Sequence, residues 1–240
     1  GVHVEFTTGT DTVSAGTPAH LAFRIVDDAT GESVTDLPVS HEKPMHLILV
    51  SGDLQQFQHI HPTLQADGTW AVEATLPTEG TWVLYNEFIR GDHTVLDQRQ
   101  LVVGTASTVG TTLTPDTAPQ TVDGLTLSLG VPDRIVAGQE VELTLAASKD
   151  GQPVTTLQPY LAAAAHVAIV GADTTNFAHT HAEVATAGGD HATGDHALPA
   201  TFGPDLVVHH TFEQAGTYKI WVQVNDNGEV ITIPFVIEVQ

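Results

Sequence analysis

The sequence predicts an all-β chain folded as two tandem β-sandwiches of immunoglobulin-like or cupredoxin-like class. Three observations carry this. Short alternating apolar runs recur every 8–15 residues between Gly, Pro and Asp turns. No amphipathic helix of useful length is present. The order of runs restarts half-way, with His46, His59 and His61 repeated as His166, His179 and His181 at a constant offset of 120 residues. A single large barrel is the lesser alternative.

The elements follow from the pattern. Val2 to Phe6 alternates as a half-buried strand, and His20 to Val26 is the second, after a turn at Ala15 to Pro18. A loop with Asp27, Asp28, Gly31 and Pro38 leads through His41 and Pro44 into the apolar run Met45 to Val50. Ser51 to Pro62 carries His59 and His61. Gly68 to Leu76, Thr81 to Phe88 and Leu96 to Val103 complete the first unit, residues 1–105. Residues 106–121, rich in Thr, Pro and Ala without periodicity, are expected to be a linker. In residues 122–240 the order restarts from Gly124, with Val141 to Leu145 as the second strand. About sixteen extra residues follow His181, including His191 and His196. Leu206 to Phe212 and Gly216 to Val224 then replace the later strands. Asn225 to Gly228 signals a hairpin before the last strand, Glu229 to Val239.

Composition narrows the function. With 29 acidic and 7 basic residues the formal charge is −22, which argues against nucleic acid and anionic membranes and favours cations. No cysteine is present, which excludes thiolate zinc sites, blue-copper ligation and disulfides. No apolar run reaches the ~18–20 residues of a membrane span, so no direct membrane insertion is expected. Starting at Gly1 without Met is expected of a processed or trimmed chain.

The histidines carry the candidate chemistry. In an extended segment His59 and His61 point the same way, about 7 Å apart at Cα. His46 is expected on a neighbouring strand. Three imidazoles with one open or carboxylate position suit Zn²⁺ or Cu²⁺. Asp53 and Glu87 are the acids expected to add a fourth or outer ligand. In the second copy His166, His179 and His181 form the matching set. Asp173 matches Asp53, but Gln223 stands where Glu87 stood, so this site is expected to be less anionic, and weaker unless His209 or His210 joins it. A structural alternative keeps every histidine as a hydrogen-bonding residue without metal. His3 and His20 are expected at the surface, and His41 within reach of the first site. Trp82, Tyr85, Tyr218 and Trp221 are expected in the core. No nucleophile elbow, P-loop or H-E-x-x-H occurs, and no enzyme activity is expected.

Met45, His46, Leu47, Asp53, Leu54, Phe57, His59, His61 and Pro62 in the first half, and His166, His179, His181, Gly203, Pro204, Gly216, Tyr218 and Gln223 in the second, resemble a known pattern. It is that of exported bacterial heavy-metal or copper-associated secreted proteins, often lipoproteins. Ala165, Ala182 and Asp205 depart from it, where Gly, Pro and Glu are usual. The resemblance implies an extracytoplasmic setting and a metal role, with copper ahead of zinc and a membrane metal transporter or metallochaperone as partner. The expected function is sequestration, buffering or delivery of the metal. The rival expectations are a cell-surface module that grips protein or glycan, and a metalloenzyme.

Overall fold

The computed structural model describes residues 1–7, 12–105, 112–185 and 198–240. Among them every regular element is a strand, and no helix is long and apolar enough to cross a membrane. The chain forms two compact units, Gly1–Thr111 and Thr112–Gln240.

Unit 1 contains β1 (Val2–Phe6), β2 (Thr12–Val13), β3 (Pro18–Asp27), β4 (Met45–Ser51), β5 (Phe57–Ile60), β6 (Thr63–Leu64), β7 (Trp70–Thr75), β8 (Gly80–Arg90) and β9 (His93–Val103). They make two sheets, ordered β1-β3-β7-β6 and β2-β9-β8-β4-β5. Between them Leu21 and Phe23 of β3 pack with Leu47 and Leu49 of β4 and with Trp82 and Leu84 of β8. Each such leucine is fully buried, so its loss would cost about 2–5 kcal/mol. Since side chains alternate along a strand, burying Leu47 and Leu49 inward sends His46, Ile48 and Val50 to the other face. That face is buried too: all seven β4 residues are.

Unit 2 contains β10 (Gln120–Val122), β11 (Leu125–Gly130), β12 (Glu140–Lys149), β13 (Gln152–Pro153), β14 (Leu157–Gln158), β15 (Ala165–Gly171), β16 (Phe177–Val184), β17 (Asp205–Thr211), β18 (Gly216–Asp226) and β19 (Glu229–Val239). Its two sheets share one strand. The first part of β16 pairs β15, while Glu183 and Val184 pair β17. In unit 1 the corresponding path is broken: β5 pairs β4, β6 pairs β7, and Pro62 sits between them. Proline has no N–H to give a ladder, whereas Ala182 at the matching position lets β16 run on.

The segment expected to be a linker is partly structured. Residues 106–111 lie outside the described residues. Asp116, however, exchanges backbone hydrogen bonds with Val236, and β10 pairs β11. The second unit therefore begins before residue 122. The missing periodicity hid this because single bridges and three-residue strands are too short to show a period.

Candidate metal centre

β4 and β5 run antiparallel with Leu47 opposite Ile60 and Ile48 opposite His59. That register places His61 across from His46 and His59 one step diagonal to it, on the same face. The three rings meet. Ring centroids are 5.2 Å apart for His46–His59, 5.0 Å for His46–His61 and 4.7 Å for His59–His61. Unit 2 repeats the arrangement, with His166 directly opposite His181 and centroid distances of 5.2, 4.5 and 5.1 Å in the same order. His46 and His166 are 3% and 1% exposed, so neither is a solvated surface histidine.

The nitrogen atoms are assigned by their partners. His46 Nε2 is 3.0 Å from the Ser40 carbonyl, and His166 Nε2 is 3.1 Å from the Tyr160 carbonyl. A carbonyl only accepts, so Nε2 carries the proton and Nδ1 is left with its lone pair. That Nδ1 lies 3.0 Å from Nε2 of His59, and the matching His166–His179 distance is also 3.0 Å. Without metal, the His59 and His179 N–H groups donate to it. Two nitrogens each about 2.05 Å from one ion stand about 2.9 Å apart at a right angle and about 3.35 Å at the tetrahedral angle. The observed spacing fits that range. Ligand atoms of His46 and His59, and of His166 and His181, lie within 4.8 Å of each other.

The carbonyl that sets the tautomer comes from a tight turn. Ser40 and Lys43 bond each other's backbone, as do Tyr160 and Ala163. The two central residues are left-handed in both turns: His41 (φ 48°) and Glu42 (φ 64°), then Leu161 (φ 48°) and Ala162 (φ 58°). Such residues usually cost about 1–2 kcal/mol each against the right-handed region. Turns of this type normally announce themselves with Asn or Gly. None stands here, and so sequence reasoning missed them. The expectation that His41 approaches the first site fits its place in this turn, since it bears electrostatically on both His46 and Glu87.

Glu87 of β8 pairs directly with His46 across β4. Burial pushes its carboxyl up to about 7, against the opposing pull of His46 and His41. Burial likewise lowers the His46 pKa, with the Ser40 bond and Glu87 acting the other way. A half-neutral carboxylate beside an imidazole cluster is an acid that a cation would ionise. In unit 2 Gln223 holds the paired position opposite His166, and its amide donates to Thr232 Oγ1 at 3.1 Å.

Asp53 is a correction. His46 stands at the start of β4 and Asp53 beyond its end, more than about 17 Å away along the strand. Its carboxylate accepts from Ser51 Oγ and the Gln55 backbone N–H, closing a turn. Asp173 does the same with Thr175. The shared Asp is thus a turn residue, because an Asx turn needs an acceptor at that position. His209 lies on β17 opposite Glu142, with Nε2 4.0 Å from the carboxylate. His210 stacks edge-on against Phe212. His3 and His20 are exposed and each bonds a carboxylate at 2.7 Å, Asp28 and Glu73 respectively. Trp82, Tyr85, Tyr218 and Trp221 are buried, as expected. His191 and His196 lie outside the described residues.

No curated protein is significantly similar in sequence. Among solved structures, the chain is similar to a Salmonella alpha-2-macroglobulin variant at 13% identity and TM-score 0.33, covering 99% of this chain and 14% of that one. The native conformation of Escherichia coli alpha-2-macroglobulin gives 13%, 0.32, 100% and 14%. A Corynebacterium diphtheriae protein described as membrane anchored gives 10%, 0.28, 100% and 58%. The chain therefore spans a small part of the macroglobulins' length and just over half of the corynebacterial protein's. A family model matches residues 1–105 and 120–240, and the chain belongs to that family, the Domain of unknown function (DUF8832).

Proposed function

We propose that this chain is a non-enzymatic, extracytoplasmic protein that binds a divalent transition metal for sequestration, buffering or delivery. Copper is the first expectation and zinc the next. The observation that carries it is the recurrence, in both units, of a buried histidine whose Nδ1 is bared by a carbonyl bond and sits 3.0 Å from a second imidazole, with a third beside them. Outer-sphere bonding of a histidine's second nitrogen is the usual companion of metal ligation. His46, His59 and His61 form the first ligand set with Glu87 as the adjacent acid. His166, His179 and His181 form the second, where His209 is the remaining candidate. Each unit is read as an immunoglobulin-like or cupredoxin-like sandwich. A membrane metal transporter or metallochaperone is the partner such a role requires. The −22 charge raises cation concentration at the surface.

The test is calorimetric titration of the stripped protein with Cu²⁺ and Zn²⁺, beside a His59→Ala/His61→Ala variant. One or two equivalents, reduced by one in the variant, support the reading. Absence of saturable binding, or binding indifferent to the variant, removes it. The histidines would then be structural, and the rival reading, a sandwich module that grips protein or glycan, would take its place.

A further inference from the structure

In unit 2, β16 meets β17 only at Glu183–Val207 and Val184–Leu206. Toward Phe177 the two strands part, and a cleft of about 80 Å³ opens there. A water needs about 10–15 Å³ of such space, so the cleft has room for a ligand of about five or six heavy atoms. Phe177, Phe212 and Tyr218 line it, with His210, Thr211 and Glu213; no lysine or arginine is among its lining residues.

In unit 1 a side-chain amide spans the same place. The two units align here through matching bonds. Gly16 N–H donates to Leu76 O and Gly138 N–H to Phe212 O, both at 2.8 Å. Trp82 Nε1 donates to Thr78 O, and Tyr218 Oη to Gln214 O. Thr75 therefore corresponds to Thr211. In unit 1 the Gln58 side chain donates its amide N–H to Thr75 O at 2.7 Å, and Trp82 is fully buried. In unit 2 Ala178 replaces Gln58, Tyr218 replaces Trp82, Phe212 replaces Leu76 and Glu213 replaces Pro77. The filling amide is gone, while the Phe212 ring and the Glu213 carboxylate have been added. Asp173 also bears on the Tyr218 hydroxyl, so the local field is negative.

We propose that this cleft binds a small organic ammonium ion. Its N–H groups take the place of the Gln58 amide toward the Thr211 carbonyl, its charge faces Glu213, and its alkyl part lies on the aromatic rings. The proposal does not depend on the metal reading.

The test is an NMR titration of the whole chain, in chelator at neutral pH, with n-butylammonium and with 1-butanol and propionate as neutral and anionic counterparts of equal size. Saturable shifts of the His210 and Tyr218 resonances with butylammonium alone are expected. Glu213→Gln should weaken them by up to about fivefold. Ala178→Gln restores the unit 1 residue, and should abolish them while a thermal melt confirms folding. No saturable shift, an equal response to butanol, or unchanged binding in Ala178→Gln overturns the proposal.

Discussion

The two units hold the same three imidazoles in the same geometry, yet surround them differently. In unit 1 the residue across from the central histidine is an acid, and the histidine-bearing strand ends at Ile60, ahead of Pro62. In unit 2 that residue is a neutral amide, and the strand continues through Ala182 to tie both sheets together. A cross-strand pair on the other sheet is reversed as well: His20 faces Glu73 in unit 1, while Glu142 faces His209 in unit 2. What both copies keep is the ring cluster, the turn carbonyl and the Asx turn. What they vary is charge and continuity. The duplication thus separates the parts that shape the site from those that tune it.

The largest break in this symmetry comes from removing ligands on one side. His59→Ala/His61→Ala should remove one metal equivalent and leave the other, read by calorimetry; His179→Ala/His181→Ala should do the converse. Next, Ala182→Pro should impose the unit 1 interruption on β16. Losing a ladder bond at a buried position should cost unit 2 about 1–3 kcal/mol, measured as a lowered denaturant midpoint. Pro62→Ala should have little effect, since no ladder there depends on it.

Exchanging the tuning residues sharpens the comparison further. Glu87→Gln should weaken the first site by about 10–100-fold, and Gln223→Glu should strengthen the second in the same direction. Competition titrations with a chromophoric chelator would measure both. An unchanged first-site affinity in Glu87→Gln would exclude the carboxylate from metal binding.

The smallest effect is the pH dependence of the stripped protein. Glu87 titrates near 4.5 when unfolded and at about 7 when folded, so the folded state holds the extra proton. Its contribution is fully present below about 4.5 and is lost as pH rises to about 7. His46, lowered by burial, acts oppositely: its folded state sheds a proton first, so stability falls as pH drops through that range. The two partly cancel. Glu87→Gln should therefore steepen the gain of stability from pH 4.5 to 7, measured by denaturant melts across that range. An unaltered slope would mean that Glu87 titrates normally in the fold.

Much of the site was readable from spacing. Recurrence of His46, His59 and His61 at one offset, and the period-2 alternation that puts His59 and His61 on one side, follow from local pattern alone. Asp53 recurred equally well and misled, because a turn residue and a ligand leave the same mark in a duplicated sequence. Strand geometry separates them: Glu87, 41 positions after His46, is its direct neighbour, while Asp53, seven positions after it, lies beyond the far end of the strand.

The chain's periodicity therefore determined the strands, the duplication and which side chains share a face, since each depends on neighbours within a few residues. Only the tertiary structure decided which nitrogen His46 bares, which acid stands beside it and where unit 2 keeps an open cleft. Those depend on strand register, on a turn whose left-handed residues carry no sequence signature, and on how side chains from distant strands fill or fail to fill the space between two sheets.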